Sequence, residues 1–211
     1  MMAMAAILTA WTGFQSAKWS GQQAKSFAGA SALRTESIRF DNRASEARSV
    51  DVAVFVAWLE AVNDDVASGA LEDVSEAAEP VPGTLSAFLH NRVRDEFRPA
   101  FLAWIDAYIA DRATAPPTPF AMEEYVLADA LEAERLATEA GQSYLDATEH
   151  NERSDRYVLT TVLFALVLFF CGVSTKLSVE RNKRIAVGMA LTLMILGLVA
   201  VALQPVHPLF G

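Results

Sequence analysis

From Tyr157 to Ser174, and again from Ile185 to Leu203, the chain has no Asp, Glu, Lys, Arg or His. A helix rises about 1.5 Å per residue, so each window of about 18–20 residues covers roughly 27–30 Å, the hydrocarbon thickness of a bilayer. Buried helices of a water-soluble bundle usually keep a polar stripe, and these windows have none. The expectation is a transmembrane helical hairpin over residues 157–174 and 185–204. Composition agrees: 53% of the 211 residues are hydrophobic and 20% are charged, so charge is segregated along the chain.

The segment between the two windows reads TKLSVERNKR, with Lys176, Arg181, Lys183 and Arg184 against a single acid, Glu180. Short segments rich in Lys and Arg stay in the cytoplasm. The basic turn, 175–184, is therefore expected inside, with Tyr157 and the tail 205–211 at the outer face. Residues 17–156 are then outside. They carry 13 Lys and Arg against 25 Asp and Glu, a net charge of −12. Such a surface is unsuited to nucleic acid, whose phosphates require cations, and to anionic headgroups. A solvated acidic exterior is the plain reading.

Met1–Phe14 is uncharged and largely apolar, but covers only about 21 Å. As a signal-peptide core it would need a preceding Lys or Arg, which it lacks. As a first transmembrane segment over 1–16 it is short. Met1, Met2 and Met4 leave room for a start upstream of Met1. Trp11 and Trp19 are then expected at the outer interface, where indoles settle.

Residues 18–63 contain no proline and predict one helix, with Phe27, Val52, Phe55, Val56 and Leu59 at helical steps. The small residues Ala28, Gly29 and Ala32 would let another helix approach closely, although Ala is also simply a helix former. Asn63, Asp64, Asp65, Gly69, Pro80, Pro82 and Gly83 mark a loop. A second helix is predicted from Thr84 to about Arg112, kinked or broken by Pro99 near Glu96–Phe97. After the extended run Ala115–Pro119, a third helix is predicted to open at Glu123. It runs through Leu127, Leu131, Leu136 and Leu145 into the 157–174 span. The fold expected is an all-α membrane protein: three transmembrane helices, an extracytoplasmic antiparallel helical stalk, and a short Pro-kinked capping helix.

Chemistry is sparse. There is no phosphate loop, no nucleophile elbow and no His-Glu-x-x-His zinc pair. The acids Asp64, Asp65, Glu72, Asp73 and Glu76 lack the spacing of a calcium loop. Of the three histidines, His90 is expected on the polar side of the second helix and His207 lies in the tail. Asp146 and His150, four apart, share a helix face. With a carboxylate from the first helix they form the one weak candidate for a metal. Cys171 stands alone and reads as a packing residue. Thr160, Thr161, Ser174 and Thr192 are the hydroxyls of the spans and are expected to bond to their own helices. The spans hold no ionisable group, which argues against transport by one chain. No catalytic residue and no cofactor is expected.

The runs LTAWTGFQSAKWSGQQAKSFAGASALRTES (8–37), EFRPAFLAWI (96–105), PPTPFAMEEY (116–125) and RSDRYVLTTVLFALVLFFCGVSTK (153–176) carry a resemblance covering nearly the whole chain. Together they resemble uncharacterised bacterial inner-membrane proteins with an N-terminal anchor, an outer helical region and a C-terminal transmembrane hairpin. The resemblance implies the bacterial inner membrane, and a start that is short beside other members. It implies no activity. The function expected is a non-enzymatic accessory or scaffold subunit, partnered by membrane lipid and by copies of itself or a larger membrane complex. The alternatives are a subunit of an oligomeric channel or transport complex, and a sensor whose outer module binds a cation or ligand.

Overall fold

A computed structural model of the chain describes residues 1–73 and 79–207. Among them every regular element is helical: α1 Met2–Ala67, α2 Leu85–His90, α3 Arg98–Ala110, α4 Ala128–Ser174 and α5 Glu180–Ala202. A 3-10 turn, Pro119–Ala121, sits between α3 and α4. α4 and α5 are long and apolar enough to cross a membrane. The predicted continuity holds at both places: α1 runs unbroken for 66 residues, and α4 passes Gly141 without interruption into 157–174.

The chain divides into two compact units. The first combines Met1–Leu33 with Thr138–Gly211. Here α1 and α4 run antiparallel. The Thr12 and Thr161 hydroxyls lie 2.8 Å apart, Ser154 donates to the Ser16 carbonyl at 3.1 Å, and Phe27 meets Tyr144 edge-on at 5.5 Å. The inward positions alternate steps of three and four on α1, Ala5, Leu8, Thr12, Gln15 and Trp19, and fall at steps of seven or three on α4, Ala140, Ala147, Ser154, Tyr157 and Phe164. That is the spacing of a coiled-coil seam, built here from small and polar residues interleaved with Leu8, Trp19, Tyr157 and Phe164. α5 joins through a narrow stripe, Ala186, Ala190, Met194 and Gly197. A Cβ at Gly197 would stand 2.6 Å from the Phe164 ring, so hydrogen is the side chain that fits as packed.

The second unit is Arg34–Ala137. Its core is aromatic: Phe55 and Trp58 of α1 pack on Phe97, Phe101, Trp104 and Ile105. Trp58 meets Phe101 at 4.9 Å and Phe97 stacks on Phe120 at 5.2 Å. The Trp104 indole N–H donates to the Pro116 carbonyl at 2.8 Å and so anchors the proline-rich run.

The break expected near Glu96–Phe97 is present, and it is wider than a kink: α2 ends at His90 and α3 starts at Arg98. Thr84 caps α2 by accepting from the Ala87 N–H, and the turn after His90 lets Val93 and Phe97 both enter the core. Pro99 then falls in the first turn of α3, where a missing N–H costs nothing. α4 opens at Ala128, not Glu123, because Phe120, Met122 and Tyr125 are held on the aromatic core. The carboxylate of Glu96 accepts the Ala128 N–H at 2.6 Å and supplies the missing cap. Of the four leucines expected along this helix, Leu127 and Leu136 are buried, whereas Leu131 and Leu145 are 58% and 61% exposed and Ala133, Ala140 and Ala147 turn inward.

Candidate functional site

In the first unit, the apolar packing of Ala5, Phe164, Val167, Ala190 and Met194 gives way along α1 and α4 to a polar collar. Gln15, fully buried, grips the tail: its amide donates to the His207 carbonyl at 3.2 Å and accepts the His207 N–H at 2.9 Å. Gln22 lies 3.2 Å from His207 Nε2 and donates to it when that nitrogen is unprotonated. The Tyr157 hydroxyl donates to the Pro205 carbonyl at 3.1 Å, and Gln204 donates to Thr160 at 3.0 Å. Four side chains thus strap residues 204–207 across the end of α5 that follows Ala202.

Trp19 is the centre of this collar. His150 and His207 each lie 5.3 Å from its ring, and the Arg153 guanidinium lies 4.7 Å over it. Trp19 is thus enclosed by protein, and its partners are cationic or titratable. Trp11 is half-buried and meets Tyr157 edge-on at 6.2 Å. Among the described residues, Trp19 Nε1, His150 Nδ1 and Gln204 Oε1 are buried with no hydrogen-bond partner. A donor, an imidazole nitrogen and an acceptor are therefore left uncompensated in one region, a cost of about 1–3 kcal/mol each unless water fills it.

The metal candidate does not assemble. Asp146 is exposed and accepts from Gln142 at 3.4 Å, while His150 faces an indole in place of the carboxylate expected from α1. Among the described residues no group of three metal-ligating side chains comes together. Of the acidic run, Asp65 accepts the Ser86 N–H, and Glu76 lies outside the described residues. Ala28 and Ala32 are exposed and Gly29 half-buried, with nothing within 4 Å of a Cβ at Gly29. Lys176 sits in the 175–179 connection, but Arg181, Lys183 and Arg184 belong to the first turns of α5. The basic turn is thus largely a basic helix end.

The second unit holds a node that sequence reasoning missed. Asp51, 1% exposed, accepts two bonds from Arg94, at 3.2 and 2.9 Å, and one from the Tyr125 hydroxyl at 3.1 Å. Arg94 also pairs with Glu96. These carboxylates raise the Arg94 pKa, chiefly through the bonds to Asp51. The Ala128 N–H and Arg94 hold Glu96 below its usual value, while burial and then Asp51 push Tyr125 up. One buried acid so fastens α1, the turn before α3 and the approach to α4. Its only signal in sequence was an Asp on the apolar face beside Phe55 and Trp58. His90 is corrected too: it is buried against Phe101 at 5.4 Å, with no partner for either ring nitrogen among the described residues. Burial, then Arg98, lowers its pKa.

No family model, no curated protein and no solved structure matches this chain.

Proposed function

We propose that the chain is an integral membrane protein without catalytic activity, an accessory or scaffold subunit that assembles through its helices. α1 over 1–16, α4 over 157–174 and α5 serve as three spans, and residues 17–156 form an extracytoplasmic antiparallel helical stalk with α2 and α3 as its cap. The bacterial inner membrane is the site that the resemblance implies. The observation that carries this reading is an inverted pattern of size. Along both long helices many inward positions are small, Ala5, Thr12, Ala30, Ser37 and Ala44 on α1 and Ala133, Ala140, Ala147, Ser154 and Thr160 on α4, while many large apolar side chains face out. Over the spans Leu159, Phe169, Ile195 and Leu196 are 53–66% exposed, as lipid contact would require. Outside the spans Val52, Leu131, Tyr144 and Leu145 are 40–61% exposed. Lipid does not cover these, and apolar surface of that kind is characteristic of protein contacts.

Mass measurement in mild detergent tests it. An assembly of copies, or a co-purifying partner, is expected, and Leu131→Glu with Leu145→Glu should reduce the mass toward that of one chain while helicity is kept. A wild-type chain that runs as a clean monomer with no partner overturns the proposal.

A further inference from the structure

The cations at the start of α5 are placed differently from most of the others. Arg39, Arg43, Arg94, Arg98, Arg135, Arg153 and Arg156 each pair with a carboxylate. Among the described residues, Lys176, Arg181, Lys183 and Arg184 have no such pairing. Below two of them α5 carries a shallow groove of about 350 Å³, lined by Glu180, Lys183, Arg184, Val187, Gly188 and Leu191. Gly188 leaves its floor bare, since nothing lies within 4 Å of where a Cβ would stand. Val187 and Leu191 are 43% and 52% exposed along its walls. The groove lies beside the stripe that α5 buries, Ala186, Ala190, Met194 and Gly197, about a quarter turn round the helix.

We propose that this groove holds an anionic phospholipid, with its phosphate between Lys183 and Arg184 and an acyl chain along Val187, Gly188 and Leu191. The inference rests on the membrane reading above. Charge complementarity selects the occupant. Four unpaired cations against one acid favour a net negative headgroup, and each is worth about 1 kcal/mol toward an anionic surface. Length agrees, since Lys183 to Leu191 spans about 12 Å of helix, enough to carry a chain from headgroup level into hydrocarbon. A soluble anion would use the cations but not the apolar walls.

The test uses the full chain purified in mild detergent, with phosphatidylglycerol or phosphatidylcholine added and retained lipid counted by native mass spectrometry. Phosphatidylglycerol should be retained in preference, and the preference should weaken as salt is raised. Lys183→Ala with Arg184→Ala should lower its retention about thirtyfold, from two cations at that strength. Gly188→Leu, which fills the groove without changing charge, should lower it too, and Arg39→Ala should not. Equal retention of both lipids, unchanged retention in the variants, or full competition by inorganic phosphate overturns the proposal. Alkaline carbonate extraction separates the two failures. A chain that stays in the membrane but shows no selectivity sinks the lipid site alone, and one that is extracted sinks the membrane reading with it.

Discussion

Asp51 and His90 are two buried polar residues of one unit with opposite settlements. Asp51 has three donated bonds, so its charge is compensated where it sits. Asp51→Ala removes them and leaves Arg94, whose side chain is one-third exposed and so partly screened, paired with Glu96 alone. We expect a loss of about 2–3 kcal/mol, read by chemical denaturation. A loss below about 0.5 kcal/mol would remove the node from the account of stability. His90 has no compensation and is held neutral, its folded pKa lying below its usual 6.5. The sign follows. Above about pH 6.5 both folded and unfolded states are neutral there and the full contribution is present. As pH falls below that value the unfolded chain takes up the proton first, and stability is lost. The melting temperature between pH 7 and 5 should therefore fall more steeply in the wild type than in His90→Leu. Parallel curves would show that His90 does not titrate on unfolding.

At the scale of elements, the helices are joined by close approach rather than by bulk. The residues that α5 buries are two alanines, a methionine and a glycine. Gly197→Val would force a branched side chain into the Phe164 ring, so overpacking should cost about 1–3 kcal/mol. Thermal unfolding in detergent measures it, and adding Phe164→Ala should restore part of the loss. If the double variant is merely the sum of the singles, the contact is not what sets the position of α5.

For the whole molecule, topology is the property to settle. In a Cys171→Ser background, Ser178→Cys in the 175–179 connection should react with an impermeant maleimide only after cells are opened. Ala70→Cys, in the outer region, should react in intact cells. The reverse pattern would turn the chain over and leave the acidic region inside.

The sequence by itself determined that the chain is helical, that α4 and α5 could cross a bilayer, and that α1 and α4 would each be continuous. These follow from local chemistry: runs without charge, the absence of proline, the caps and punctuators at Thr84 and Pro116. Which face of each helix turns inward was decided only by tertiary structure. By hydrophobicity Leu127, Leu131, Leu136 and Leu145 are equivalent, yet only Leu127 and Leu136 are buried, and Ala133, Ala140 and Ala147 take other inward positions. A close helix pair favours the residues that let backbones approach, and the apolar periodicity of the sequence marks large side chains instead. The same reason hid the candidate site. Trp19, His150, Arg153 and His207 stand up to 188 residues apart in the chain, and Asp51 meets Arg94 and Tyr125 from three separate segments. No spacing rule links such residues before the helices pair.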